Sequence, residues 1–397
     1  MVIIPKIKFS VSGITEWLIA FCIFLISTPV FTWTRSYIYW IAMFLYIFLS
    51  YSLIKISSLR ENLPKILLFI IYCYLILRYA LINDSPFLFY IFIISTFIPF
   101  LFIKEAGWYN IFCNYKMIFV ITIIPSLLQY ISVYFLGIDF PSVKIDSSPW
   151  NPHEGSTYIQ YAFFIRELRS GDFLPRFYGL YDEPGVSGTI AMVFLYCNKY
   201  NLKKWYNIVL FLTGLLSFSL FFYVSTLLYI LFFGNTKIKL ITLSICMGIM
   251  VFAYENEVIS RYVFDRLTVT DGEWTGYNRE NYEFDFYYKQ LDTYEILFGI
   301  NSSRHIPFAT SYKYPLAVCG IISICLFAVS YLIFALTRLK FVHWKNILLC
   351  LMIPLLVFAQ RPFINNPFYI FLVFVPIYIF SIRYSVSAST KTYDQAD

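Results

Sequence analysis

The sequence predicts an all-helical, polytopic integral membrane protein, and three observations predict it. Hydrophobic residues make up 59% of the 397 and charged residues 13%, where a soluble domain carries about 25% charge; the mean hydropathy is +0.68. The apolar residues come in repeated runs of roughly 15 to 25, the length that crosses a hydrocarbon core of about 30 Å as a helix. Lysine and arginine fall unevenly on alternate connections between those runs.

The elements follow in order. The first run, 14–31, comes after Lys6 and Lys8 and lacks a small-residue cleavage site, so it reads as a span rather than a cleaved signal. Further spans are expected at 37–54, 65–82, 86–103, 117–138 and 180–198. Residues 205–234 form an uncharged run of thirty, too long for one untilted helix, and are read as two spans, 205–219 and 220–234, with one tilted span as the alternative. Spans at 240–255, 311–336, 345–359 and 366–383 complete a set of twelve, or eleven if the division fails.

An even count puts both termini on one side. With the termini cytoplasmic, seventeen of the thirty lysines and arginines lie inside. Of those outside, only Arg35, Arg78 and Arg361 lie in or beside short connections, where the bias is informative. Topology therefore accounts for the net charge of +7, and no nucleic-acid partner is expected. The eight cysteines lie in spans or in short loops placed inside, and indicate neither a disulfide framework nor a metal cluster.

The chain reads as a single membrane domain, 1–397, with two large outward loops, 139–179 and 256–310. One short amphipathic helix is expected in the first, from Tyr158 to Leu168. In the second, an amphipathic stretch from Asn278 to Leu297 is rich in tyrosines and acids. The spans hold almost no ionisable residue at depth, which disfavours a transporter.

The chemistry is expected at "RFYGLYDEPGVSGTIAM", residues 176–192. Gly179 and Gly185 permit tight backbone, Pro184 suits a first helical turn, and Arg176, Asp182 and Glu183 would meet at the membrane surface. A guanidinium donates two parallel hydrogen bonds to a phosphate and stays charged when partly desolvated, and a helix N-terminus favours anions. The same residues also fit an interfacial anchor and a helix cap, with Asp182 as the cap.

The stretch "RFYGLYDEPGVSG" resembles the Arg-x-x-Gly-x-x-x-Glu-Pro segment of O-antigen polymerases of the Wzy type, which have about a dozen spans and two large outward loops. In the second loop, "TGYNRENYEF" and "LFGINSSRHIPFATSYKYPLAVCGI" are similar to the arginine-bearing and glycine segments of the polymerase and ligase superfamily, with Arg279, Gly299 and His305 at the matching positions. The resemblance implies a GT-C-like polytopic fold in a bacterial inner membrane. The implied reaction moves a growing glycan from undecaprenyl diphosphate to the terminal sugar hydroxyl of a lipid-linked repeat unit, with inversion. It implies no cofactor, and a lipid-linked oligosaccharide, the bilayer and a chain-length regulator protein as partners.

Such a site stabilises a departing diphosphate and accepts a proton. Arg176 and Arg279 are assigned to the diphosphate, with Arg304 beside them. Glu183 is the first candidate base, and His305 its rival, with an ordinary pKa of about 6.5; His153 and His343 rank lower. Trp274, Tyr277 and Tyr282, with Tyr287, Tyr288 and Tyr294, would stack on sugar rings. The acids of "EFD", 283–285, imitate a metal-holding pair, yet the first outward connection, "TWTRSY", contains no acid, so a metal-independent enzyme is expected. An O-antigen ligase, a polysaccharide flippase and a non-catalytic scaffold are the competing readings.

Overall fold

The computed structural model describes residues 11–27, 29–33, 35–54, 59–82, 87–145, 157–167, 176–244, 269–270, 273–274, 282–301, 312–339 and 342–393. It is mostly helical. Eleven long helices are α1 (Val11–Ile26), α3 (Ser36–Ser52), α4 (Leu59–Ile82), α5 (Phe87–Phe102), α6 (Glu105–Tyr134), α7 (Pro184–Cys197), α8 (Trp205–Leu216), α9 (Leu220–Phe233), α13 (Ile321–Arg338), α14 (Trp344–Gln360) and α15 (Pro367–Tyr393). Short helices are α2 (Val30–Trp33), α10 (Tyr282–Lys289), α11 (Thr293–Phe298) and α12 (Lys313–Cys319), and residues 236–244 include a further helical stretch.

Among the described residues, three helices, Leu63–Ile82, Glu105–Tyr134 and Ile321–Arg338, are long and apolar enough to cross a membrane, and eight shorter apolar helices accompany them. The outer faces are greasy: Phe48 is 67% and Leu355 71% exposed. Apolar surface on this scale is tolerated in lipid rather than water, so the protein is an integral membrane protein.

Aromatic packing fills the inside of the bundle. Tyr72 of α4 stacks on Phe97 of α5 at 3.9 Å, and Phe100 stacks on Trp108 of α6 at 4.7 Å. Such offset rings add about 0.5–1.5 kcal/mol each beyond area burial. At one end of the bundle, Ile54 pairs with Ile103. There Glu105 receives Arg338 at 2.9 Å and the Ser381 hydroxyl at 2.8 Å, tying α6 to α13 and α15. At the other end, Pro29 pairs with Tyr181, and Arg78 donates to the Ile300 carbonyl at 2.6 Å.

The division of 205–234 is present: α8 and α9 are separate helices, and Phe218 turns between them with φ 45°. Two expectations are corrected. The run 311–336 is not one helix. Gly320, at φ 79°, breaks it into α12 and α13, because its backbone crosses Gly299, itself at φ 86°; a Cβ on Gly320 would fall 2.5 Å from the Gly299 nitrogen. Only glycine combines that conformation with so close an approach.

The second correction is in the first outward loop, where the described part of the stretch expected to be helical from Tyr158 to Leu168, residues 158–167, is not a helix. Instead β1 (Val143–Ile145), β2 (Tyr158–Gln160) and β3 (Ile165–Glu167) form an antiparallel sheet in that order, with Lys144 opposite Ile159 and Ile159 opposite Arg166. Alternation decides the outcome, since Tyr158 and Ile165 enter a small core with Val30 and Tyr178. The β2–β3 tip is fastened to α6: the Phe163 N–H donates to Gln129 Oε1 at 2.8 Å, and the Ser126 hydroxyl donates to the Phe163 carbonyl. In the second loop, β4 (Val269–Thr270) pairs with β5 (Glu273–Trp274). The amphipathic stretch expected from Asn278 to Leu297 is interrupted: α10 ends at Lys289, and Asp292 opens α11 with a capping box to Glu295.

Candidate functional site

The motif segment is fixed on three sides before its chemistry begins. Gly179 turns at φ 64°, its carbonyl accepting the Ile165 N–H of β3 at 2.9 Å. Leu180 accepts the Val30 N–H at 2.7 Å, and the Phe177 N–H donates to Leu216 at the end of α8. Arg176 lies at that third contact, its Nε 3.3 Å from the Ser217 carbonyl in the α8–α9 turn.

From Pro184 onward every residue of α7 is buried. Its small residues allow this. A Cβ on Gly185 would fall 2.9 Å from the Arg361 guanidinium, and one on Gly188 would fall 2.9 Å from Ser217 Oγ. The Ser187 and Thr189 hydroxyls turn back onto the Pro184 and Gly185 carbonyls at 2.9 and 2.7 Å, so these two buried hydroxyls are satisfied within the helix.

At the N-terminus of α7 stands an ion pair absent from the sequence reading. Arg361, just past α14, is 4% exposed and donates to Glu183 Oε2. Glu183 occupies the N-cap position, and no side chain caps the helix. Asp182 is therefore not the cap. Its Oδ1 is buried without a hydrogen-bond partner. Burial pushes its carboxyl well above the ordinary range, and the Glu183 charge adds to that; Arg361 and the backbone N–H groups of Asp182 and Glu183 oppose it. Of the nearby hydroxyls, that of Tyr369 faces Arg361.

The arrangement brings together Asp182, Glu183 and Arg361, with Arg176 anchored on the neighbouring helix turn. Arg279, Arg304, His305, Tyr277 and His153 lie outside the described residues. Trp274 and Tyr282 are described as backbone only, in β5 and α10. Asp285 does not face a metal pair; it is held by Lys289 at 2.9 Å and Lys313 at 3.3 Å. Tyr287 and Tyr288 pack partly buried against the core, and Lys313 lies over the Tyr288 ring at 5.5 Å, while Tyr294 is 69% exposed. His343 precedes α14 and accepts the Lys345 N–H. Gly299 serves the glycine crossing described above.

Arg361 left one trace in the sequence: it is an arginine beside a short outward connection, where the charge bias disfavours it. Arg78 left the same trace and is half-buried, donating to a backbone carbonyl.

Comparison of the chain with protein-family models, curated proteins and solved structures gives no match.

Proposed function

We propose that the chain is a polysaccharide polymerase of a bacterial inner membrane, transferring a growing glycan from undecaprenyl diphosphate to the terminal sugar hydroxyl of another lipid-linked repeat unit. The observation that carries this reading is the placement of the Arg-x-x-Gly-x-x-x-Glu-Pro stretch. It leads into a wholly buried helix, with an arginine at its start, paired carboxyls at the helix mouth, and a second guanidinium reaching them from a distant segment. The motif alone could be an anchor. A buried arginine seated on it costs desolvation that an anchor has no need to meet.

The chemistry assigns roles. Arg176 and Arg279 bind the departing diphosphate, whose charge grows as the glycosidic bond breaks; donors aimed at such charge contribute about 3–4 kcal/mol each. Glu183 is committed to Arg361, so it positions that guanidinium at the helix mouth. Twelve crossings with both termini cytoplasmic fit the chain. Helix ends alternate along it between the Glu105–Arg338 side and the Glu183–Arg361 side, and 236–244 begins on the first while 282–301 lies on the second.

The test is glycan banding from cells lacking the chain. A ladder that collapses to one repeat unit supports the reading, and an unchanged ladder refutes it.

A further inference from the structure

A group that takes the proton of an attacking hydroxyl needs a free lone pair and an affinity matched to the working pH. Glu183 does not meet the first requirement well, since the Arg361 guanidinium takes its Oε2. The residue beside it differs. Asp182 sits one position before the N-cap, it neither caps α7 nor bonds Arg361, and its Oδ1 is shielded and unpartnered. Unpaired buried carboxyl oxygens are costly, by about 1–3 kcal/mol, and such cost is retained where a site uses it.

We propose that Asp182 accepts the proton of the acceptor sugar hydroxyl, while Glu183 and Arg361 hold the carboxyl in place. The inference rests on the glycosyl-transfer reading above. In the step, the hydroxyl oxygen bonds the anomeric carbon of the donor. The bond from that carbon to the diphosphate oxygen breaks, and its electron pair leaves on the undecaprenyl diphosphate. The hydroxyl proton passes to the Asp182 carboxylate and later to water.

The electrostatics agree with the geometry. Burial and the Glu183 charge raise the Asp182 carboxyl to about 7, against the pull of Arg361, so it changes protonation near neutrality, where a base works best. The charged groups facing it are Glu183 from its own segment and Arg361 from the end of α14. The Tyr369 hydroxyl faces Arg361.

The test uses the purified full chain in vesicles supplied with lipid-linked repeat units, with ladder growth followed from about pH 5 to about pH 9. Wild-type growth is expected to rise with pH around neutrality. Asp182→Asn should slow it by at least about 100-fold while melting no lower than wild type at alkaline pH. An Asp182→Asn rate within about threefold of wild type with the same pH profile overturns the proposal. If that variant is lost from the membrane, Asp182→Glu decides: growth with a displaced pH midpoint supports the role, and an unmoved midpoint overturns it. A wild-type chain that makes no ladder at all counts against the polymerase reading itself, and the Asp182 role falls with it.

Discussion

Arg361 and Glu183, 178 residues apart, form the ion pair that joins the end of α14 to the mouth of α7. It is lopsided: the arginine is 4% exposed and the glutamate 36%. The buried partner carries the desolvation cost, so the two ends are not equivalent. Arg361→Ala leaves two acids facing each other and should lower stability by about 2 kcal/mol, less than the roughly 3–5 kcal/mol of a fully buried pair because Glu183 reaches solvent. Glu183→Gln strands the buried guanidinium and should cost at least as much. Thermal melting in detergent measures both; equal melting for Arg361→Ala and wild type would contradict the pairing.

Asp182 predicts a pH signature independent of catalysis. Its folded pKa is raised to about 7 by burial and Glu183, above an unfolded value of about 3.9. The folded state therefore holds the proton more tightly. Its contribution is fully present below about pH 4 and is lost as the pH rises to about 7. Asp182→Asn removes the titration, so wild type should lose stability relative to the variant between those limits. A constant difference in melting temperature from about pH 4 to about pH 8 would exclude this.

The glycine crossing makes a third prediction. Gly299 and Gly320 both have positive φ, and a Cβ on Gly299 would fall 2.5 Å from the Val318 carbonyl and 2.8 Å from Arg78. Gly320→Ala should cost about 1–3 kcal/mol from backbone strain alone. Because α12 and α13 meet there, membrane-inserted protein should become more protease-sensitive near residue 320. Unchanged melting and digestion would sink the claim.

At the opposite end, Glu105 joins α6 to α13 and α15. Its partners are partly exposed, so Glu105→Gln should cost only about 1 kcal/mol. Lying at the end of the bundle opposite the mouth of α7, it should leave ladder growth unchanged. A large loss of growth without loss of protein would contradict that separation.

Much of the helical plan was legible because hydropathy reports what lipid demands, and the division of 205–234 appears as the α8–α9 turn at Phe218. Hydropathy is blind to φ, so the uninterrupted apolar run through Gly320 concealed a break. The β2–β3 hairpin was missed for a related reason: "YIQYAFFIRE" satisfies a helical face as readily as alternation, and the choice was made by Val30 and Tyr178 from elsewhere in the chain. At the candidate site, the 176–188 stretch pointed to Arg176 and Glu183 as candidates. Sequence spacing could not reveal that Arg361 occupies Glu183, nor that Asp182 Oδ1 lies shielded without a hydrogen-bond partner.

The most direct test of the central claim is ladder growth by the purified chain in vesicles containing only lipid-linked repeat units, wild type beside Arg176→Ala. The polymerase reading predicts a ladder from wild type with no other acceptor present, and a loss of roughly 100-fold or more in the variant. No ladder from wild type, or an equal one from Arg176→Ala, would contradict it.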